Sequence, residues 1–139
     1  MSWVAYALLG ALAAALTAIL AKLGVSSIPS NLAVLVRTCV VLVVATAFVA
    51  ARGEFAAIRD VKGATWAALI FSGIATGVSW LAYFKALQLA PASLVAPLDK
   101  LSLPLTVVLA ALVLGESLTW KSGLGVALMV VGAVVATRP

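Results

Sequence analysis

The chain has 139 residues, 65% hydrophobic and 9% charged, with nine Lys or Arg, four Asp or Glu and no His. Soluble domains carry about 25% charged residues, so a mean hydropathy of +1.27 excludes an ordinary soluble domain and places the chain in the membrane class. The net charge of +5 is scattered singly, without the basic stripe that nucleic-acid binding needs, so no nucleic acid is expected as a partner.

A helix crosses the roughly 30 Å hydrocarbon core with about 20 apolar residues, and five such runs follow one another along the sequence. The first spans residues 3–22 and lacks the basic leader of a cleaved signal peptide. The second, 31–51, follows Ser30 and Asn31 as expected caps and holds Arg37 and the single cysteine, Cys39. Cys39 reads as a small packing residue. A loop over 52–63 then carries Arg52, Glu54, Arg59, Asp60 and Lys62. The third run covers 64–88 and ends before Pro91; the fourth, 93–114, contains Pro97 and Pro104; the fifth is 118–137. Helices satisfy their backbone groups internally in lipid. The expected fold is therefore an all-α integral membrane protein, one five-helix domain over residues 1–139 with no room for an attached soluble domain.

Counting crossings, the side bearing the N-terminus receives Arg52, Arg59, Lys62 and Lys121, and the opposite side Lys22, Lys85 and Arg138, with Arg37 a little inside it. This near balance gives the positive-inside rule little to act on and allows two copies to insert in opposite senses. A fixed orientation set by the 52–63 loop is the alternative. Trp3, Trp66 and Trp120 fall at helix ends on the N-terminal side, where interfacial belts place Trp. Trp80 does not.

Charged groups within a span are expensive and mark candidate sites. Arg37 lies about 9 Å inside its span at 1.5 Å per residue, and Asp99 has a similar depth in the fourth, so the two are expected to pair. Lys100 points about 100° away from Asp99 on a continuous helix and is not expected to pair with it. Pro104 deprives the Lys100 carbonyl of its helical partner and Pro97 loosens the preceding turn, so the fourth span is expected to be kinked or interrupted, as in transporter sites. Asp99, Ser102 and Thr106 follow one another at i, i+3 and i+7, and Ser72, Thr76, Trp80 and Tyr83 form a stripe on the third span. The expected substrate site is Arg37, Trp80, Tyr83, Asp99, Lys100, Ser102 and Thr106. In the plainer alternative the hydroxyls merely bond across helices, the Arg37–Asp99 pair is a strut, and Lys22 and Lys85 snorkel to the surface.

More cations than acids in this region favour an anionic or zwitterionic small molecule. A cation multidrug exporter needs a free carboxylate, and the first span has none. Gly10, Ala14, Thr17 and Ala21, Gly73 and Gly77, and Gly125, Gly132 and Ala133 permit close helix approach, within one chain or between copies. The sequence shows no nucleophile–base set, metal-ligand cluster or phosphate loop, so neither an enzyme nor a cofactor or metal is expected.

The run from Ala82 through Pro91 to Ser93 resembles the end of the third helix of the EamA family, within the drug/metabolite transporter superfamily. The Gly115–Glu116 turn and the glycine-containing stretch from Gly123 to Gly132 resemble its last two helices. In that turn Gly115 is expected to permit the bend and Glu116 to cap the following helix. The resemblance implies transport of small metabolites by alternating access. Most such chains hold two five-helix units as inverted repeats, so one unit implies a homodimer, half of a ten-helix transporter per chain. The leading expectation is a secondary transporter of small polar metabolites, an antiparallel homodimer in the plasma or inner membrane. The rivals are a non-transporting subunit packed against a lipid-modifying or other partner and, less favoured by charge, a cation exporter.

Overall fold

A computed structural model describes residues 2–138, and among these the regular structure is entirely helical. The helices are α1 Trp3–Gly24, α2 Ser30–Ala51, α3 Gly63–Leu89, α4 Ala92–Asp99, α5 Ser102–Val113 and α6 Trp120–Thr137, with a short 3₁₀ stretch at Glu54–Asp60. Taking α4 and α5 as one span, Ala92–Leu114, five spans among the described residues are long and apolar enough to cross a membrane. Most of their large apolar side chains, including Leu12, Leu42, Phe71, Leu105 and Leu112, remain exposed. Soluble monomers avoid so continuous an apolar surface; lipid tolerates it.

The chain forms two compact units, residues 20–89 and residues 1–19 with 90–139. In the first, α2 packs along α3. Its interior holds Ala21, Val25, Ala33, Val34, Phe84 and Leu87. The residues Ser30, Ala33, Val34 and Arg37 recur at helical spacing along the α2 face that provides this interior. Lys22, expected to snorkel, instead donates from Nζ to the carbonyl of Leu87. That carbonyl belongs to the last turn of α3, which has no intrahelical donors, and a cation there also complements the helix dipole.

In the second unit α4 and α5 both pack on α6, with Val95, Pro104 and Ala133 buried. The fourth span is interrupted after Asp99, as its prolines suggested. The Lys100 carbonyl is not left open, however: the Leu103 N–H donates to it at 3.0 Å, and Leu101 N–H reaches the Leu98 carbonyl at 3.1 Å. The break is thus a tightened turn of i→i+3 bonds, which takes up the acceptor that Pro104 cannot serve.

Two expected caps are corrected. Pro29, not Asn31, precedes α2 and offers no side-chain cap; its fixed φ suits the position and its carbonyl accepts from Ala33 N–H at 3.1 Å. Thr119, not Glu116, caps α6, its hydroxyl accepting from Ser122 N–H at 3.2 Å. Glu116 serves the other end of the loop, its N–H reaching back to the Ala110 carbonyl at 3.3 Å.

Gly115 does permit the turn, with φ +71°. A Cβ there would meet nothing within 4 Å, so the cost of Gly115→Ala is conformational alone. Thermal unfolding in detergent should show a loss of about 1–2 kcal/mol, and an unchanged midpoint would refute the left-handed assignment.

Candidate functional site

The expected site residues divide between the units: Arg37, Trp80 and Tyr83 lie in the first, and Asp99, Lys100, Ser102 and Thr106 in the second. In the first, the antiparallel run of α2 and α3 brings Arg37 opposite Trp80. The Arg37 guanidinium carbon sits 4.1 Å from the Trp80 ring centroid and 5.5 Å from that of Phe84. Both distances fall in the cation–π range. Tyr83 meets Phe84 edge-on, with centroids 6.3 Å apart. Phe84, almost wholly buried, was missed in the sequence stripe, although its i+4 spacing from Trp80 puts it on the same helix face.

Magnitudes show what the arrangement leaves undone. Desolvated cation–π contacts are worth about 2 kcal/mol, whereas an arginine at the centre of a span costs about 2.5–3.5 kcal/mol. Arg37 is half-buried, and within its own unit its partners are the rings of Trp80 and Phe84 and, electrostatically, Tyr83. The stack orients a planar donor group but leaves its N–H edge to be satisfied by something else. A guanidinium held in this way suits a carboxylate, which it can engage through two parallel N–H bonds.

In the second unit the structure corrects the reading of Asp99 and Lys100, which do pair, Nζ to Oδ2 at 3.0 Å. The 100° offset applies only to a continuous helix, and α4 ends at Asp99. The flexible lysine stem folds back, and its charge offsets that of a carboxylate lying unfavourably at a helix C-terminus. Thr106 donates to the Ser102 carbonyl at 2.8 Å, as Thr76 does to the Ser72 carbonyl at 2.9 Å. These hydroxyls serve their own helices. Thr106 also lines a cavity of about 530 Å³ between α5 and α6, with Leu103, Val107, Ser122 and Met129. Among the described residues no group of His, Cys, Asp or Glu has the arrangement to hold a metal.

The whole of residues 1–138 matches the EamA-like transporter family. The chain belongs to that family. It is also 50% identical, over 134 residues covering 96% of this chain and 95% of the other, to an uncharacterized transporter in the cobO 3′ region from a Sinorhizobium species. No solved structure matches the chain. Five apolar spans in an EamA-like chain make this a multi-pass membrane protein, and the family and the relative together point to a membrane transporter.

Proposed function

We propose that the protein is a secondary transporter of small anionic or zwitterionic metabolites, working by alternating access as a homodimer in the plasma or inner membrane. The observation that carries the reading is Arg37, a planar cation laid on Trp80 and Phe84 inside a membrane span, with no anion in its own unit to satisfy it. A substrate carboxylate supplies that anion. The ion pair of Asp99 with Lys100 compensates the one acid of the fourth span, which disfavours a lipophilic cation as cargo. Trp80, under the Arg37 guanidinium, and Tyr83 beside Phe84 wall the site.

The homodimer in this reading is supported by the single five-helix unit described here and by a Sinorhizobium relative matched over 95% of its own length. Gly73 and Gly77 have no atom within 4 Å of where a Cβ would stand, leaving that strip of α3 open to a second copy. Two antiparallel copies reproduce the inverted repeat of a ten-helix transporter. The domain as a whole, residues 1–139, is then half of the carrier.

A thermal-shift screen of the purified protein tests the substrate class. Anionic and zwitterionic metabolites at about 100 times their Kd should add about 2.7 kcal/mol of stability, while cations of similar size add none. Stabilisation by cations alone would overturn the assignment.

A further inference from the structure

The seam between α2 and α3 continues past Arg37 to the end of the first unit. There the α1–α2 loop, the start of α2 and the end of α3 border an open surface pocket of about 470 Å³, lined by Ser26, Ser27, Ser30, Asn31, Lys85 and Gln88, among others. Its lining is polar and contains one charge, Lys85. The Lys85 ammonium donates to Gln88 Oε1 at 3.2 Å, and Gln88 Nε2 donates in turn to the Ile28 carbonyl at 3.4 Å. Gln88 thereby ties the lysine to the loop that forms the opposite wall, and at least one of the three ammonium hydrogens remains for a ligand. Lys85 is therefore held at the pocket, which a lysine extended into headgroups would not be.

The order of residues along the seam fixes what lies beneath. On α2, Ser30 and Asn31 at the pocket are followed by buried Ala33 and Val34 and then Arg37; on α3, Gln88 and Lys85 are followed by buried Phe84 and then Trp80. Eight residues of α3 between Gln88 and Trp80 correspond to about 12 Å. The acids of this unit, Glu54 and Asp60, both belong to the loop at its other end. Within this unit the pocket end thus holds Lys22, Lys85 and Arg37 without a carboxylate, an arrangement whose summed field is positive.

We propose that this pocket is an outer binding site for a small monocarboxylate, held by Lys85 and the surrounding hydroxyl and amide groups before it passes Phe84 to reach Arg37. The inference rests on the transport reading for the second step, but the pocket itself is tested without it. Of the three cations only Lys85 lines the pocket, and its single charge balances a monoanion there; a phosphate dianion would keep one charge uncompensated. Phe84, buried between the pocket and the Trp80 stack, is the side chain that must turn aside for passage.

The test places a thiol in the pocket by Ser27→Cys in a Cys39→Ala background and compares its modification by anionic sulfonate and cationic trimethylammonium thiosulfonate reagents. Relative to a free thiol, the anionic reagent should be favoured by about tenfold. Lys85→Gln should abolish that preference, and Gln88→Leu, which releases the lysine, should reduce it. Sodium acetate should slow modification saturably at constant ionic strength, and phosphate should do so more weakly. A preference unchanged by Lys85→Gln, or protection by acetate no greater than by chloride or phosphate, would overturn the proposal. An intact pocket result in a protein that moves no metabolite would refute the transport reading alone. Transport that depends on Arg37, with a Lys85-independent pocket, would refute the outer site alone.

Discussion

Replacing Arg37 with methionine is expected to weaken the affinity for the transported anion by about 10- to 100-fold. Hydrogen bonds to a charged partner are worth about 1.5–3 kcal/mol, and each 1.4 kcal/mol is a factor of ten. The same change removes a half-buried cation whose stacking on Trp80 and Phe84 offsets only part of its burial cost. The variant should therefore unfold at the same or a higher temperature than the wild type. Arg37→Lys keeps the charge but loses both the flat stacking surface and the two-pronged donor edge, and should recover only part of the affinity. Concentration dependence of uptake, measured beside thermal unfolding, separates the effects. Lower stability with unaltered uptake would make Arg37 a structural strut.

The second large effect concerns orientation. With the cations nearly balanced between the two sides, a reporter fused to the C-terminus should give signal from both sides of the membrane. Ala56→Lys together with Ala57→Lys, both exposed in the 3₁₀ stretch Glu54–Asp60, should drive insertion toward one orientation. If the working carrier is an antiparallel dimer, that variant alone loses most of its transport. Leu89→Lys with Ser93→Lys, both exposed near the other end of the spans and biased the opposite way, should restore it on co-expression. Signal from one side only in the wild type, with transport intact, would exclude the antiparallel dimer.

Hydropathy and proline placement made much of the architecture legible. Five runs of about the required length became five spans, and Pro97 and Pro104 marked the one that is interrupted. The site was less legible, for reasons that lie in long-range packing. From Trp80, both Tyr83 and Phe84 fall within about 60° on a helix of 3.6 residues per turn, and only the position of α2 decides that Phe84 lies beneath Arg37. Lys22 read as a solvated cation because its acceptor, the Leu87 carbonyl, is 65 residues away. Asp99 and Lys100 were separated by a rule for continuous helices, and the helix ends between them. The left-handed turn at Gly115 was readable, whereas the capping role passed to Thr119, whose hydroxyl reaches Ser122 N–H.

Arg37 is proposed to hold the anionic group of a small metabolite during its passage across the membrane. Uptake into proteoliposomes, with wild type and Arg37→Met run in parallel against matched anionic, zwitterionic and cationic metabolites, decides this role. Saturable uptake of anions or zwitterions by the wild type, lost in Arg37→Met, is the expected result. Uptake confined to cations, or anion uptake that Arg37→Met leaves unchanged, would contradict it.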